Sequence, residues 1–450
     1  MVVRIELLVL EDETTEHVVV IPHNLRQTLE VSAPTVQFSV GQSTAVARVE
    51  PGCSKGRLSK IHLSRSLFLA LHLRESLHLC VWRDKAGGGV RIGPVLGILV
   101  GGQSNKSLGV HVEIVRDCLR LASRQGAMAY AFGASDIDWE RGSVAGWVYH
   151  QGGVARVDCP LPDVVYDKVS SRRVEKNGAV VKMKERLLGY PRLKYYNRSF
   201  FNKWEVHRIL SGHVKLRRYL PSTGELSAEK MLEYLRQYQS VFVKPAEGSL
   251  GVGILRVVRV GSVYGYRLTR FNRPDLRGNT CSSEKILRTV RVLMRQGQYI
   301  VQRGIRLARV NGCPFDVRIL LQKNGRNQWF VASTVARVAQ PGNIISNIAD
   351  GATTMSPRQA IMSALGLRAG AGRQVKIMSI VAKKVARAIE RGMDMEFAEM
   401  GVDLAIDIHG KIWILEANSR PGRQTNDLPT KLVAGSVVKL VKFLCSRGLR

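Results

Sequence analysis

The fold expected of this chain is clearest in the segment Met400-Gly-Val-Asp-Leu-Ala-Ile-Asp-Ile-His-Gly-Lys-Ile-Trp-Ile-Leu-Glu-Ala-Asn-Ser-Arg-Pro-Gly422. Apolar residues alternate with others after Asp403, His409-Gly410 is a turn signal, and the alternation resumes from Lys411 to Ala417. A period of two indicates a strand, because successive side chains point to opposite faces. The stretch therefore predicts two adjacent strands that run back along each other.

Three oxygen-bearing side chains lie at corresponding ends of these two strands. Glu416 and Asn418 are two residues apart and share a face, while Asp403 lies on the neighbouring strand. Mg2+ takes carboxylate and carbonyl oxygens as ligands, and phosphates and water usually complete its shell. The three residues are therefore candidate ligands of one or two Mg2+ ions, with Mn2+ as the alternative metal. Taken alone, the hairpin is equally compatible with a structural role, since acidic residues are common at strand ends.

A second segment, Ser240-Val-Phe-Val-Lys-Pro-Ala-Glu-Gly-Ser-Leu-Gly-Val-Gly-Ile254, is an apolar strand that ends at Lys244 and enters a glycine-rich loop. Glycines let backbone N–H groups turn toward an anion, and the lysine adds a point charge for phosphate. The spacing does not match GxxxxGK[ST], so a Walker P-loop is not expected. A glycine-rich hairpin is the structural alternative. The order along the chain, a lysine and a glycine loop before Asp403 and Glu416, favours a magnesium-nucleotide site.

Further motifs occur in a fixed order: Phe201-Asn-Lys-Trp204, Tyr219-Leu-Pro-Ser-Thr223, Val243-Lys-Pro245, Tyr299-Ile-Val-Gln302, Phe315-Asp-Val-Arg318 and Leu415-Glu-Ala-Asn-Ser-Arg-Pro-Gly422. Their order resembles the ATP-grasp superfamily, in which two α+β subdomains close on Mg-ATP. More closely, the motifs resemble the YheC/YheD family of endospore coat-associated ATP-grasp proteins. The likeness covers the chain from about residue 90 to its end.

The resemblance implies a nucleotide-binding role for several of these residues. Lys203 and Lys244 would be the two lysines that touch the nucleotide phosphates. The loop over the phosphates would be a mobile lid that contains Glu247, Gly248, Ser249, Gly251 and Gly253. The adenine base would meet the hinge formed by Gln302, Arg303, Gly304 and Ile305, mostly through backbone groups.

The resemblance also implies a second group of residues near the reacting atoms. Asp316 and Arg318 alternate with apolar residues, so they share one face of a strand; Asp316 would join the nucleotide site, and Arg318 would hold a phosphate or acyl-phosphate oxygen. Arg337 and Asn347 resemble the Arg and Asn of glutamate-ligase-like members, with Arg337 in a catalytic role and Asn347 in nucleotide binding. A solvated strand arginine is the alternative for Arg318 and Arg337. Related proteins often carry Gly-Gly after that Asn, whereas this chain has Asp350-Gly-Ala352.

The reaction that the resemblance implies is stepwise. Mg2+ and cationic side chains neutralise the ATP phosphates while an acceptor carboxylate attacks the γ-phosphorus, which gives an acyl phosphate and ADP. An amine, or in some members a thiol, then displaces phosphate. The cofactors would be ATP and Mg2+, and the partners a carboxylate-bearing acceptor, polyanionic acceptors included, and spore-coat proteins. The acceleration would come from positioning and charge stabilisation, without a side-chain nucleophile.

Length and composition indicate a large protein with a substantial core. With 450 residues and 45% hydrophobic content, the chain has room for about two to four domains. No apolar run reaches the roughly 18 residues that a membrane span needs, and Val2 to Leu10 is too short and too charged for a signal peptide, so a cytoplasmic location is expected. The 7 cysteines are dispersed and never form C-x-x-C, which predicts reduced thiols.

The chain carries a large excess of positive charge. Its 68 Lys and Arg residues against 36 Asp and Glu residues give a net charge of +32. Such a field attracts ATP, nucleic acid and acidic polymers, although salt screens exposed charges beyond about 8 to 10 Å. Tyr190, Tyr195 and Tyr196 interleave with basic residues, a combination that single-strand binders use. Aromatic content is only 6%, however, and no RRM, KH or helix-turn-helix signature occurs. A generally basic, solvated surface is therefore favoured over nucleic-acid binding.

Three regions of the chain differ in pattern. Residues 1–88 show strand patterns and one short helix within residues 64–73, which predicts a small barrel, and Ala86-Gly-Gly-Gly89 predicts a linker. Residues 89–198 alternate strands and helices, as in a pre-ATP-grasp α/β domain. Residues 199–450 form the expected catalytic domain. The predicted fold class is thus α+β / α/β, an ATP-grasp fold with a preceding α/β domain and a small N-terminal β-rich domain.

Amphipathic stripes predict helices in the last of these regions, at residues 228–239, 283–295, 377–390 and 432–444. Two other functions stay open at this point. A spore protein that keeps the fold without turnover would bind ATP and release no acceptor-dependent ADP. A nucleic-acid-associated factor would bind RNA or DNA with an affinity that falls steeply with salt.

Overall fold

Four β-sheets with flanking helices build the described part of the protein in the computed structural model. The structure describes residues 2–10, 14–52, 59–73, 77–84, 87–101, 108, 111–150, 152–248, 251–270, 273–341, 351–366, 370–422 and 429–446. Within this part of the chain, every helix is too short or too polar to cross a membrane.

The first sheet is a closed barrel, as the strand patterns at the N-terminal end predict. Alternate side chains point into it, so Ile5, Leu7, Phe38 and Val40 are buried. Its elements are β1 (Val2–Val9), β2 (Val18–Pro22), α1 (His23–Thr28), β3 (Thr35–Val40), β4 (Ser43–Gly52), β5 (Ser59–Leu63), α2 (Arg65–Ala70), β6 (Leu77–Arg83) and β7 (Val90–Gly93). The strand order is β1-β5-β2-β4-β3-β7-β6.

The glycine run that ends the first region is a hairpin turn, so the prediction of a linker was wrong. The backbone N–H of Asp84 donates to Gly89 O at 2.8 Å, and that of Gly88 donates to Asp84 O at 2.9 Å. Gly88 has a φ of 72°, which favours glycine. The turn therefore connects β6 to β7 inside the barrel, while Ala86 lies outside the described residues. The proposed division of the chain at residues 88 and 198 stays a prediction.

The second sheet, whose strands lie between Val95 and Tyr196, alternates strands with helices, as the predicted fold class of a preceding α/β layer requires. Parallel pairing joins β8 to β9 and to β13, and β13 to β14, and the order is β10-β11-β9-β8-β13-β14 with β12 beside β11. The strands are β8 (Val95–Gly101), β9 (Met128–Gly133), β10 (Ile137–Asp138), β11 (Ser143–His150), β12 (Gly153–Pro160), β13 (Val164–Asp167) and β14 (Lys194–Tyr196). The helices are α3 (Val112–Arg124), α4 (Arg172–Glu175) and α5 (Gly178–Leu188).

The third sheet is small, antiparallel and covered on one face. Helices α8 and α9 pack on it through Met231, Leu235, Ile286 and Val290, which leaves the opposite face free to line a site. The helices are α6 (Lys203–Gly212), α7 (Val214–Arg217), α8 (Ala228–Gln237) and α9 (Ser283–Met294). The strands are β15 (Thr223–Glu225), β16 (Ser240–Pro245), β17 (Leu255–Val260), β18 (Val263–Leu268), β19 (Leu276–Thr280) and β20 (Tyr299–Arg303), in the order β15-β20-β16-β17-β18-β19.

The fourth sheet contains the decisive hairpin and is also antiparallel. Helix α11 packs on it through Met378, Val381 and Val385, and it begins earlier than the apolar stripe predicts. The elements are β21 (Arg309–Val310), β22 (Cys313–Lys323), β23 (Trp329–Val338), β24 (Thr353–Met355), α10 (Pro357–Leu365), α11 (Ala371–Met393), β25 (Glu399–Ile406), β26 (Ile412–Asn418) and α12 (Thr430–Ser446). The order is β24-β23-β22-β25-β26, with β21 beside β22.

Two junctions hold the fourth sheet against the second. Asn197, after β14, donates from Nδ2 to Glu399 O at 2.9 Å and accepts from Ala398 N at the same distance. Its φ of 58° is one that asparagine tolerates better than most residues. Helix α12 shares an apolar cluster with α3, which includes Val437 and Cys118. The hairpin is therefore fixed relative to the α/β layer.

Candidate functional site

A cavity of about 1450 Å³ lies between the third and fourth sheets. Most of the residues that the sequence singles out line this one space, although they come from separate parts of the chain. These residues are Lys203, Lys244, Glu247, Gly248, Gly251, Gln302, Arg303, Ile305, Asp316, Arg318, Arg337, Asp403, Glu416 and Asn418. Gly253 and Gly304 lie beside the cavity without lining it, and Ser249 and Asn347 lie outside the described residues.

The two predicted phosphate lysines reach the cavity from different elements, one from the start of α6 and one from the third sheet. Lys203 begins α6, whose N-cap Asn202 accepts from the backbone N–H groups of the first turn, and its Nζ donates to Gly248 O at 2.6 Å. Lys244 lies near the end of β16, and its Nζ donates to Gln302 Oε1 at 2.7 Å. Burial lowers the pKa of Lys244 to about 8; Glu416 partly opposes that shift and Lys203 adds to it. A bound anion would relieve this cost of burying a charge.

The loop after β16 has the backbone geometry that its glycines allow. Gly251 and Gly253 both have a φ of 74°, in the left-handed region. At Gly248 a Cβ would lie 2.4 Å from Pro245 Cγ, so the close turn leaves no room for a side chain. Glu247 accepts from Lys176 Nζ at 2.5 Å, and this hydrogen bond lowers the pKa of Glu247. The loop is thus pinned at Glu247 to the region that precedes α5.

The predicted adenine segment begins within β20 and extends past its end, and some of its backbone groups are already hydrogen-bonded. The backbone N–H of Arg303 donates to Ser222 O at 2.9 Å, and that of Gly304 donates to Ser240 O at 2.7 Å. A Cβ at Gly304 would lie 2.4 Å from Ser240 Oγ, so this close approach requires glycine. Neither N–H is available to a base without breaking a hydrogen bond, whereas Gln302 and Ile305 line the cavity.

The three predicted metal ligands lie together on the opposite wall. Asp403 on β25 pairs with Glu416 on β26, and Gly401 pairs with Asn418. A bulge falls after Asp403, so Leu404 pairs with Ile414 and the register shifts by one residue. Directly opposed residues share a face, which places the Asp403 and Glu416 carboxylates side by side. The bulge was not predicted, because the alternation on either side of it is regular.

The cationic and anionic walls meet across the cavity. Lys203 Nζ lies 3.6 Å from Glu416 Oε1, and these side chains are 17% and 33% exposed. The carboxylate therefore remains open to solvent and to a ligand, in contrast to Asp403. Among the described residues, no three His, Cys, Asp or Glu side chains cluster for a metal ion. The donor set fits Mg2+ bound by two carboxylates and an amide oxygen, with phosphate oxygens completing the shell.

Asp403 belongs to a buried network with Asp316 and two arginines. Arg337 donates from Nε and Nη2 to the two Asp316 oxygens, each at 2.7 Å, and its Nη2 lies 3.1 Å from Asp403 Oδ2. Arg318 donates from Nε to Asp403 Oδ1, and from Nη2 to Oδ2 at 2.8 Å. Burial alone would raise the pKa of Asp403, but Arg318 and Arg337 hold it below its usual range. A metal at Asp403 would have to share oxygens that these guanidinium groups now contact.

Other charged residues line the cavity that sequence reasoning did not select as site residues. Arg420 follows the metal-ligand motif directly; its Nη2 lies 3.0 Å from both Asp167 Oδ2 and Glu175 Oε1. Arg172 donates to Phe201 O at 2.5 Å. The signal for Arg420 was its place within the quoted motif, since a residue next to two ligands shares their location. Three further arginines also line the cavity: Arg256, Arg306 and Arg309.

The two-sided cleft, with Lys244 from the third sheet, Lys203 from the start of α6 and oxygen donors from the fourth sheet, defines the class of ATP-grasp proteins. A family model described as YheC/D-like ATP-grasp matches residues 192–445, and the chain belongs to this family. The resemblance inferred from the motifs and the predicted ATP-grasp fold class are both confirmed.

Named relatives are similar to this chain over much of its length. Endospore coat-associated protein YheD of Bacillus subtilis (strain 168) is 26% identical over 439 residues, which covers 96% of this chain and 93% of YheD. Endospore coat-associated protein YheC of the same strain is 23% identical over 304 residues, or 64% of this chain and 79% of YheC. Among solved structures, D-cycloserine synthetase DcsG matches 77% of this chain and 99% of its own at 14% identity and a TM-score of 0.47.

Proposed function

We propose that this protein is an ATP- and Mg2+-dependent ligase that activates a carboxylate as an acyl phosphate for attack by an amine. The observation that carries the proposal is the meeting of Lys203 and Glu416 across the cavity, with Nζ and Oε1 3.6 Å apart. A triphosphate needs cations on one side and a metal held by oxygen donors on the other. The two walls of this cavity offer both.

Each wall has its own task in the proposal. Lys203 and Lys244 bind phosphate oxygens, and the loop that contains Gly248 and Gly251 covers them with backbone N–H groups. Glu416 and Asn418 hold the metal, and Asp403 joins them if its arginine partners move toward the substrate. A bound Mg2+ supplies neutralising charge and draws electron density from the phosphates.

Arg318 and Arg337 act at the reacting centre in this proposal. An oxygen of the acceptor carboxylate forms a bond to the γ-phosphorus while the bond to the ADP oxygen breaks. The amine nitrogen then bonds to the acyl carbon, phosphate leaves, and the amine loses a proton. Guanidinium groups with fixed donors stabilise the charge that develops on the phosphoryl and acyl oxygens. Before substrate binds, Asp316 and Asp403 hold both guanidinium groups in position through the hydrogen bonds described above.

The names of the relatives suggest the setting. YheD and YheC are described as endospore coat-associated, and the proposal extends that setting to this protein, as a cytoplasmic protein of a spore-forming cell that associates with the coat and its proteins. The carboxylate-bearing acceptor would be a component available there.

Acceptor-dependent release of ADP tests the proposed function. Purified protein is incubated with Mg-ATP and pools of carboxylate compounds and amines, and ADP, phosphate and the product are quantified by mass spectrometry. We expect ADP and product in equal amounts, only when acceptor and amine are both present. If the protein binds Mg-ATP tightly but releases no ADP with any pool of compounds, it is instead a binding protein that has lost turnover.

The affinity for Mg-ATP is expected to fall as the pH rises through about 8. Lys244 attracts phosphate in its charged form, and its pKa in the free protein is about 8. A bound phosphate favours the charged form and raises that pKa, so each pH unit above 8 weakens binding by up to about tenfold. Calorimetric titration with Mg-ATP on both sides of this pH measures the effect.

The matched variants decide whether Lys244 is the titrating group. Lys244→Met should bind Mg-ATP about 10- to 100-fold more weakly, because a charge-assisted contact is lost, and its affinity should not depend on pH in this range. Lys230→Met, on the outer side of α8, should behave as wild type. A pH dependence that persists in Lys244→Met would contradict the assignment.

A further inference from the structure

Three arginines form a row across neighbouring strands of the third sheet. Arg256 on β17 lies opposite Arg267 on β18, and Arg267 lies opposite Arg277 on β19. Directly opposed residues of antiparallel strands have their side chains on one face. Arg256 also lies opposite Phe242, and both line the cavity. The row therefore lies on the face that the helices leave uncovered.

The row leads from the interior of the cavity to the outer strand of the sheet. The Arg267 side chain is 16% exposed and that of Arg277 is 65% exposed. Strand β19 is at the edge of the sheet. Asp275 contacts two members of the row: Arg267 Nε donates to it, and Arg277 Nη2 lies 3.9 Å from it. The carboxylate of Asp275 is therefore shared by two of the three guanidinium groups.

Arg256, at the inner end of the row, has the weakest contacts to offset the burial of its positive charge. In the described part of the chain its Nε is buried without a hydrogen-bond partner, and its guanidinium lies 5.6 Å from the centre of the Phe242 ring. Burial lowers the pKa of Arg256, and the positive charges of Arg309 and Arg267 lower it further. Like charges brought together at a cavity wall are stabilised by an anionic ligand.

We propose that this row is a docking surface for an acidic polypeptide, which runs from the cavity to the edge strand. Guanidinium groups pair with carboxylates through two parallel hydrogen bonds, and repeated carboxylates match a row of arginines. Binding of single-stranded bases commonly adds stacking on aromatic faces. Tyr264 and Tyr266 of β18 pack toward the helix-covered core, and the ring of Phe242 is already in contact with the Arg256 guanidinium, so the row favours carboxylates over bases.

Docking and catalysis are separable parts of this inference. The surface binds an acidic chain whether or not the cavity performs chemistry. That a carboxylate of the docked chain is the group activated with ATP rests on the proposed function. Binding and ADP release are therefore measured separately.

The test uses a short fluorescein-labelled poly-L-glutamate and fluorescence anisotropy at low and physiological salt. Wild-type protein should bind it with an affinity that falls as salt rises. Arg256→Gln and Arg277→Gln should each weaken binding by about tenfold. Arg259→Gln is the matched control, because Arg259 lies on β17 but donates to Arg236 O of α8 on the other face, at 3.3 Å. The exposed position of Arg277 makes its variant a safe test if Arg256→Gln folds poorly.

Each outcome distinguishes a different failure. If Arg277→Gln binds poly-L-glutamate as tightly as Arg259→Gln does, or if the wild-type protein does not bind it, the docking surface is wrong. The affinity for Mg-ATP, measured separately, tests the nucleotide site. Tighter binding of an oligothymidylate of matched charge, lost in the same variants, would make the surface one for nucleic acid. If poly-L-glutamate binds through the row but no ADP forms with any amine, the docking proposal stands. The docked chain is then not the acceptor in the proposed reaction.

Discussion

Replacing Glu416 with glutamine is expected to lower the rate of acceptor-dependent ADP formation by about a hundredfold or more and to leave the fold unchanged. Glu416 is the metal-ligand candidate with the most open carboxylate, and it faces Lys203 across the cavity. A neutral amide keeps the shape but removes the charge that holds Mg2+, whose electrostatic contribution is worth several kcal/mol. The rate is measured by coupled ADP detection once an acceptor is known.

A second measurement on Glu416→Gln needs no acceptor. The concentration of Mg2+ that supports half-maximal ATP binding should rise, because one ligand of the ion has become weaker. Glu284→Gln is the control, since Glu284 lies on the solvent side of α9, where it accepts from Arg291. An unchanged Mg2+ requirement together with unchanged turnover would show that Glu416 is not a metal ligand.

The sequence allowed the hairpin to be predicted because large aliphatic residues recur at every second position on both sides of the His409-Gly410 turn. The period of two placed Glu416 and Asn418 on one face, and the turn at His409-Gly410 brought Asp403 beside them; the structure shows this arrangement in the pairing of β25 with β26. Lys203 is different. Its neighbours form a helix, and only its resemblance to a family motif connected it with Lys244.

Features that depend on contacts between distant parts of the chain could not be predicted. The glycines before β7 were interpreted as a linker, because a turn and a linker have the same local composition and only the pairing of β6 with β7 distinguishes them. Similarly, Asp403 was predicted as a metal ligand from its own strand. Its contacts with Arg318 and Arg337 result from the packing of β22 between β23 and β25, which no short segment encodes.

The arrangement of the arginines also could not be predicted from sequence. A net charge of +32 favoured a generally solvated basic surface. The register of β17, β18 and β19 instead gathers Arg256, Arg267 and Arg277 in one row. Register depends on turn lengths and pairing, so the row emerges only when the strands are aligned.

Arg337→Ala is expected to reduce the free energy of unfolding by about 3 to 5 kcal/mol, because it leaves buried carboxylates without their partner. The Asp316 and Arg337 side chains are 7% and 8% exposed, so water replaces little of what is lost. Arg337→Lys keeps a charge but not the paired hydrogen bonds, and it should fall between alanine and wild type. Urea denaturation followed by fluorescence measures the change, with Arg358→Ala on the exposed side of α10 as the control.

The contribution of the same buried network to stability should also appear in the pH dependence of the free energy of unfolding of the wild-type protein. Arg318 and Arg337 hold the pKa of Asp403 below its usual range, so its ionised form is stabilised by folding. That contribution is complete above the ordinary pKa of an aspartate, about 3.9, and is lost as the pH falls toward the depressed value. In Arg337→Ala the pKa of Asp403 moves back toward its ordinary value, so the stability lost on acidification below about pH 3.9 should be smaller than in wild type. If alanine at 337 destabilises no more than alanine at 358, the carboxylates are compensated by Arg318 and solvent, and the buried network contributes little to the fold.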